Sequence, residues 1–256
     1  PFSPQSTSYD YDAPIDEAGH VTAKFTAIRD LFGKHLLPGE TLPDVPPPPM
    51  PIVSLPAATF TAVAELRAQT LPWVQAEQPR TFEQLGQAAG LVRYVVQAPS
   101  AGTLTLDAND YTQVSLDGQP LAILDRRHRQ NTVVLPSGGK LDILTEAFGR
   151  VNYGGDIHDR KGIGTAILLD GKPLTGYAMQ QFPLDAAFLD GLQFTDTREL
   201  RKVPAIYRGT LHVTKVGDTF LDLSTWHKGA VWVNGHALGR YWDLGPQQTL
   251  YLPGCW

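Results

Sequence analysis

The stretch Gln113-Val114-Ser115-Leu116-Asp117-Gly118-Gln119-Pro120-Leu121-Ala122-Ile123-Leu124 indicates the fold class. Short runs rich in apolar residues lie on both sides of Asp117-Gly118, as in half-buried strands. An Asp-Gly pair between two such runs predicts a β-hairpin, because a type I′ turn needs positive φ at both central positions. The stretch is therefore expected to form two antiparallel strands.

The same pattern recurs along the chain. Asp170-Gly171 and Asn234-Gly235 separate two further pairs of strand-like runs. Other short runs with strand character are Leu91–Val96, Thr103–Leu106, Thr132–Leu135 and Leu141–Leu144. Many short strands joined by tight turns are typical of antiparallel sandwiches and jelly rolls, and not of a doubly wound parallel sheet.

Length and composition bound the class of protein. The chain has 256 residues, of which 42% are hydrophobic, so it can form one large domain or two of ordinary size. Only 18% of the residues are charged and the net charge is -5, which does not favour a nucleic-acid partner. The one short basic run, Arg126–Arg129, is interpreted as a solvated loop between strands.

The sequence gives no signal for a metal, a cofactor or a membrane span. Its single cysteine, Cys255, excludes an internal disulfide framework, and the seven histidines do not form a metal-binding spacing such as HExxH. A G-x-S-x-G motif for a nucleophilic serine is also missing. No run of about 18 apolar residues is present, so no transmembrane helix is expected.

The first 37 residues predict a strand, a loop and a helix. Thr22 can cap the helix, apolar residues from Phe25 to Leu36 follow the helical spacing, and Pro38-Gly39 can stop it. One such βα unit cannot bury its own faces and therefore needs neighbours.

Four segments are predicted. Residues 1–37 form the βα unit, and residues 38–80 form a proline-rich connector that can give a strand to the last domain. Residues 81–170 form a first β-sandwich, and residues 171–256 form a second one, which can be incomplete.

Tyr9-Asp10-Tyr11-Asp12 is the first candidate site. In an extended chain the two tyrosines share one face and the two aspartates the other. Paired phenols suit a sugar, with its apolar C–H face and its hydroxyl rim, but the end of an ordinary half-buried strand gives the same pattern. Asp10, Asp12, Asp16 and Glu17 are too close in sequence to flank one glycosidic bond, so they are not assigned as catalytic carboxylates.

Two further regions leave alternatives open. Residues 149–155 are bounded by glycines and are interpreted as a tight loop, whereas His158–Lys161 fits either a charged network at a domain contact or a solvated loop. The four C-terminal tryptophans could form sugar platforms, but burial in a sandwich is the favoured interpretation; they are Trp226, Trp232, Trp242 and Trp256.

Three of these motifs resemble the β-galactosidases of glycoside hydrolase family 35. Thr7–Gly19 resembles the end of that family's catalytic barrel, and Gly149–Gly154 with Ile157–Ile163 resembles a signature of its first β-domain. Lys228–Trp242, followed by Gly245–Tyr251, resembles a signature of its last domain. The three motifs stand in the family's order and cover the chain from end to end.

The resemblance implies a mainly β chain. Two jelly-roll or galactose-binding-like β-sandwich domains are preceded by the last βα unit of a (β/α)8 TIM barrel. It also implies that the family continues past Trp256 and that any targeting signal, for a periplasmic or secreted protein, lies upstream.

The resemblance also implies an activity for the parent protein. That activity is the retaining hydrolysis of terminal non-reducing β-D-galactosyl residues by two glutamates from earlier barrel strands. Glu17 and Glu40 do not match those positions, so the catalytic residues are expected outside this chain, which would be inactive alone. Tyr9 and Tyr11 match tyrosines that line the galactose pocket. The expected partners are a β-galactoside and the preceding part of the barrel, without nucleic acid or membrane. The alternative is a non-catalytic carbohydrate-binding or scaffolding module.

Overall fold

The computed structural model describes residues 12–47, 50–197, 199–245 and 249–256. The described chain divides into two compact bodies. The first comprises Phe60–Arg208, and the second comprises the described residues up to Thr59 together with Gly209–Trp256.

Helices are few and short. The described residues contain α1 (Ala23–Gly33), α2 (Ala186–Asp190) and two 3-10 turns at Leu66–Ala68 and Arg126–His128. No helix in this part of the chain has the length and apolar character needed to cross a membrane.

Nineteen strands dominate the described chain. In order they are β1 (Thr59–Glu65), β2 (Val74–Ala76), β3 (Leu91–Ala98), β4 (Gly102–Thr105), β5 (Ala108–Asn109), β6 (Tyr111–Leu116), β7 (Gln119–Asp125), β8 (Thr132–Leu135), β9 (Gly139–Glu146), β10 (Gly162–Ile163), β11 (Leu168–Leu169), β12 (Lys172–Pro173), β13 (Tyr177–Phe182), β14 (Thr195–Asp196), β15 (Ala205–Thr210), β16 (Thr219–Asp222), β17 (Lys228–Val233), β18 (His236–Trp242) and β19 (Thr249–Leu252). The mainly β fold class predicted from the turn spacing is confirmed.

The first body is built like a sandwich. A six-stranded antiparallel sheet has the order β2-β13-β3-β9-β6-β7, and a four-stranded sheet has the order β12-β11-β4-β8. Alternate residues of β3, including Tyr94, are buried in one large core together with Leu104 of β4 and Ile143 of β9. The period of two in β3 therefore gives this central strand an inward-facing apolar row.

The three predicted hairpins are confirmed by their backbone angles. Asp117 and Gly118 have φ of 48° and 80°, Asp170 and Gly171 have 47° and 78°, and Asn234 and Gly235 have 50° and 83°. These turns connect β6 to β7, β11 to β12 and β17 to β18. Asp, Asn and Gly tolerate this left-handed conformation better than other residues do, so the turns form where the sequence places them.

The boundary predicted at residue 171 does not coincide with the division in the structure. β13 follows that position, yet it pairs with β3 on one side and β2 on the other, inside the six-stranded sheet. The first body continues to Arg208. Asp170-Gly171 signals a turn correctly, but a turn does not reveal whether the next strand stays in the same sandwich.

The predicted connector contains two strands, β1 and β2, and β2 pairs with β13 at the edge of the six-stranded sheet. β1 lies between β14 and β15 in a three-stranded sheet. A second core cluster forms there, with Leu66, Phe182 and Phe188 among its buried members.

The helix near the beginning of the chain is shorter than predicted. α1 ends at Gly33, and Lys34 and His35 donate to carbonyl groups only three residues earlier. Thr22 is the N-cap residue, but its hydroxyl donates to Ala13 and Pro14 and does not cap the helix. The strand predicted before it, with Tyr9 and Tyr11, lies outside the described residues.

The second body has smaller sheets. β16 pairs with β19 and β17 pairs with β18, and each pair is a two-stranded antiparallel sheet among the described residues. A parallel bridge joins Ile52 to Asp218 and so connects the connector with the start of β16.

Candidate functional site

The sugar-binding tyrosines predicted from the sequence, Tyr9 and Tyr11, lie outside the described residues. The chain that follows them is held by the start of α1. The Lys24 ammonium lies 2.6 Å from the Asp12 carbonyl oxygen and 2.6 Å from the Asp12 carboxylate. The Thr22 hydroxyl lies 2.9 Å from the Pro14 carbonyl oxygen.

Asp16 organises the turn that comes next. Its Oδ1 accepts hydrogen bonds from the N–H groups of Ala18, at 3.0 Å, and His20, at 2.8 Å. Gly19 between them has φ of 85°, a conformation that costs glycine little. The carboxylate thus satisfies the backbone of its own loop, which agrees with leaving it out of the catalytic assignment.

The segment resembling the family's first β-domain signature ends in a buried charge network. The Lys161 side chain is fully buried, and its Nζ lies 2.9 Å from Asp110 Oδ2 and 2.8 Å from Asp159 Oδ2. Arg126 Nη1 lies 2.9 Å from Asp110 Oδ1 and 2.6 Å from Asp159 Oδ2. Two cations therefore face two carboxylates, which is the balance that buried charges require.

The network favours the charged forms of Asp159 and Arg126. Burial alone would raise the pKa of Asp159, but hydrogen bonds from Arg126 and Lys161 outweigh burial and lower that pKa. Burial would lower the pKa of Arg126, but Asp159 and Asp110 raise it above its ordinary value.

The sequence predicted only some members of this network. The interpretation of Arg126–Arg129 as a solvated loop is wrong for Arg126, which is in the network, and for Arg127, which pairs with Asp125. Of the two interpretations of His158–Lys161, the charged network fits Asp159 and Lys161, whereas His158 and Arg160 are exposed. An aspartate directly before a basic run was the one signal that could have indicated pairing.

An open cleft of about 440 Å³ lies beside the network. Residues 150, 151 and 157–160 line it together with Glu83. The Arg150 guanidinium binds the Glu83 carboxylate and donates to the Ala88 carbonyl oxygen at 2.8 Å, and Glu83 also accepts from the Lys161 N–H at 3.1 Å. Burial would raise the pKa of Glu83, but these hydrogen bonds lower it. A carboxyl with a lowered pKa is a poor proton donor near neutral pH, so Glu83 is suited to binding or support and not to acid catalysis.

The last signature forms the β17–β18 hairpin. His227 Nδ1 lies 2.7 Å from Asp243 Oδ2, and the Lys228 ammonium lies 4.9 Å from the centre of the Trp242 ring. The His236 ring stacks on Trp256 at 4.4 Å between ring centres.

The tryptophan prediction holds in part. Trp242 is buried, Trp226 and Trp232 are half-buried, and Trp256 is exposed. Three of the four are therefore wholly or partly inside the second body.

Comparison with known families matches each of these regions. The profile of "Beta-galactosidase, first all-beta domain" matches residues 79–185, and that of "Beta-galactosidase, galactose-binding domain" matches residues 204–256. The profile of "Glycosyl hydrolases family 35" matches residues 1–35. The chain is therefore composed of glycoside-hydrolase segments with accessory β-domains.

Curated relatives align with nearly the whole chain. A beta-galactosidase of Xanthomonas manihotis is 38% identical over 258 residues, which are 98% of this chain and 42% of the relative. Beta-galactosidase-1-like protein 2 of Homo sapiens is 36% identical over 264 residues, which are 98% of this chain and 41% of the relative. A beta-galactosidase of Mus musculus is 34% identical over 288 residues, which cover 99% of this chain and 44% of the relative.

The chain belongs to glycoside hydrolase family 35 and matches a C-terminal portion of its β-galactosidases. It spans about two fifths of the length of the curated relatives that it matches.

Proposed function

We propose that the parent protein hydrolyses terminal non-reducing β-D-galactosides, and that this chain supplies part of the sugar pocket and the accessory β-domains. The observation that carries the proposal is the family-35 match over residues 1–35, which include both predicted pocket tyrosines and α1. The names of the relatives, several of which are beta-galactosidases, support the galactoside substrate.

The exposed apolar side chains of α1 support the proposal that the first segment packs against the rest of a barrel. None of its eleven residues is buried, although Leu31 and Phe32 are large and apolar; they are 52% and 58% exposed. A helix normally buries its apolar stripe against a neighbour. Packing of α1 on the rest of a (β/α)8 barrel would cover this stripe, as expected for the last barrel helix.

The proposed reaction needs two carboxyl groups, and we assign neither role to the described residues of this chain. In a retaining glycosidase one carboxylate attacks the anomeric carbon, and the second protonates the leaving oxygen and then activates water. Asp16 is bound to its own loop, and the Glu40 carboxylate accepts from the Leu37 N–H at 2.8 Å. As the family resemblance implies, we propose that both catalytic glutamates lie on earlier barrel strands of the parent protein.

Tyr9 and Tyr11 are proposed as one wall of the galactose pocket. A pair of phenols offers ring surface to the apolar face of the sugar and hydroxyls to its rim. Their place at the end of a barrel strand would agree with the position of active sites in barrel enzymes.

An assay of the chain with and without the preceding barrel part tests this proposal. The pure 256-residue chain should not hydrolyse a nitrophenyl β-galactoside, whereas the full-length parent should, with the matching β-glucoside as a control substrate. Proton NMR of the first product should show β-galactose if the configuration is retained. Turnover by the isolated chain, or no turnover by the parent, would contradict the proposal.

Tyr11→Phe in the parent tests the pocket assignment. This change removes the Tyr11 hydroxyl, so the sugar hydroxyl that it is proposed to bind is left without a hydrogen-bond partner. The kcat/KM should therefore fall roughly tenfold or more. An unchanged kcat/KM would remove Tyr11 from the site.

A non-catalytic carbohydrate-binding role is the second candidate, and the exposed Trp256 favours it. Trp256 stacks on His236 beside the Asn234 amide, an arrangement of ring and polar group that sugars can use. Titration of the chain with galactose should quench tryptophan fluorescence saturably if this candidate is right, and Trp256→Ala should abolish that signal.

A further inference from the structure

The loop of residues 12–22 is connected at its far end to the connector. His20 Nε2 lies 3.1 Å from the Met50 carbonyl oxygen. A carbonyl oxygen can only accept, so this ring nitrogen carries the proton. The same histidine closes the Asp16 turn through its backbone N–H, and Ala18 between them is buried. A movement of the connector at Met50 would therefore reach the loop directly.

The connector is in turn bound to the start of β16. The Val53 N–H donates to the Asp218 carbonyl oxygen at 2.8 Å, and the Asp218 N–H donates to the Pro51 carbonyl oxygen at 2.9 Å. Gly217 lies so close to Pro51 and Val53 that a Cβ atom there would collide with both. The two backbones thus meet without room for a side chain.

The Asp218 side chain extends the connection to the end of β19. It is 2% exposed, and its Oδ1 accepts from the Gly254 N–H at 2.8 Å. It also forms a hydrogen bond with the Tyr251 phenol. A buried carboxylate with these partners fixes three chain segments relative to one another.

The Tyr251 phenol is surrounded by acidic groups. Burial, followed by the charge of Asp218 and its hydrogen bond, raises the pKa of Tyr251 to about 12, and Cys255 and Glu17 add smaller contributions. Glu17 belongs to the loop of residues 12–22, so the charge of this loop acts on the Tyr251 phenol, whereas the hydrogen bonds of the clamp run from His20 through Met50 and Asp218 to Gly254.

We propose that this arrangement, the Asp218 clamp (residues 50–53, 217–218 and 251–254), positions the loop that continues directly from Tyr9 and Tyr11. His20, Asp218 and Tyr251 are its positioning residues. The link to galactoside binding rests on the proposed function, whereas the clamp itself rests on the contacts above. Binding sites lose affinity when their supporting residues allow shifts of about 1 Å, so loosening the clamp should weaken sugar binding.

Hydrogen exchange on the 256-residue chain tests the clamp without any activity. Tyr251→Phe removes the phenol hydroxyl and keeps the ring, which contacts Phe220 at 5.6 Å between ring centres. The amides of Ala18 and His20 should exchange roughly fivefold faster, the size expected from one lost hydrogen bond. Tyr207→Phe is the matched control, because its hydroxyl accepts from the Arg201 N–H in the first body. Equal exchange in wild type and Tyr251→Phe would overturn the clamp.

Kinetics of the full-length parent test the effect on the pocket. Tyr251→Phe and His20→Ala should raise the KM for a nitrophenyl β-galactoside at least threefold and leave kcat nearly unchanged. Tyr207→Phe and His128→Ala, which lie outside the clamp, should leave both constants unchanged. A purely structural role predicts lower thermal stability without a change in KM, and that result would overturn the positioning role. If the wild-type parent hydrolyses no galactoside, the proposed function and this positioning role fail, whereas the exchange experiment still decides whether the clamp exists.

Discussion

The two bodies of this chain bury their polar and apolar groups to different extents. The first encloses a large core with Tyr94 and Tyr177 fully buried, and it also buries the Lys161 ammonium against Asp110. In the second, α1 has no buried residue and every residue of β17 is only half-buried.

This difference in burial indicates which body is stable without further packing partners. Six-stranded and four-stranded sheets can enclose a core between them, whereas an isolated two-stranded sheet is marginal in water. The first body is therefore expected to set the stability of the chain. The second has exposed apolar side chains on α1, among them Leu31 and Phe32.

The largest expected effect comes from breaking the buried network of the first body. Lys161→Met leaves Asp110 and Asp159 with Arg126 as their shared cation. Removing one member of a buried ion network costs about 3–5 kcal/mol, because the remaining charges are left uncompensated. Urea unfolding of the chain should show this loss.

Lys172→Met is the matched control for that change. Lys172 lies exposed in β12, and surface substitutions of this kind usually stay within about 0.5 kcal/mol of wild type. Equal free energies of unfolding for the two variants would show that the network does not stabilise the first body.

The next effect concerns Gly162, which lies against the core of the first body. Its φ is 85°, and a Cβ atom there would collide with the Tyr94 hydroxyl and lie 2.9 Å from the Phe82 ring. Gly162→Ala should cost about 3 kcal/mol, because a left-handed backbone and overpacking act together.

Gly118→Ala separates these two causes. Gly118 has φ of 80°, but a Cβ atom there meets open space. Only the backbone cost of about 1–2 kcal/mol applies at this position. Thermal unfolding should therefore place Gly118→Ala between wild type and Gly162→Ala, and the reverse order would refute the role of crowding.

A smaller effect is expected from pH. The pKa of Asp159 is lower in the folded chain than in the unfolded one, where it is about 4. The Asp159 charge therefore stabilises the fold fully at pH values above the unfolded pKa. This stabilisation is lost as the pH falls through the folded pKa. Asp159→Asn should lower Tm by several degrees at pH 7, and this difference should shrink toward pH 3.

Asp156→Asn serves as the control for the pH series. Asp156 lies exposed in the same loop. Its variant should follow the wild-type Tm at every pH, and a difference between wild type and Asp159→Asn that does not change with pH would argue against a charge effect.

Local signals explain which parts of the fold could be predicted. The hairpin at Asp117-Gly118 depends on two adjacent residues and the alternation around them, so the sequence alone locates it. The extent of the first body could not be predicted in the same way, because β13 joins its sheet across about 80 residues to pair with β3. Periodicity carries no information about such long-range pairing.

The charge network depends on the same long-range pairing as the sheet. The network joins Asp110, Arg126 and Lys161 from distant positions, and only the folded topology brings them together. Family resemblance pointed to the segment containing Lys161, but single-residue patterns could not identify its partners. The assignment of Tyr9 and Tyr11 stays a prediction.

The smallest effect is expected in the second body, at α1. Phe32 is exposed on this helix, so Phe32→Ser should change the free energy of unfolding of the 256-residue chain by no more than about 0.5 kcal/mol. In the full-length parent the same change should cost about 3 kcal/mol or more, because there the ring is expected to be buried by the barrel. Arg29→Ser, on the same helix, is the control and should be nearly neutral in both proteins. A large loss in the isolated chain would show that α1 is already packed, and no loss in the parent would show that the barrel does not cover it. Either result would remove the contrast between a self-contained first body and a second body that depends on a neighbour.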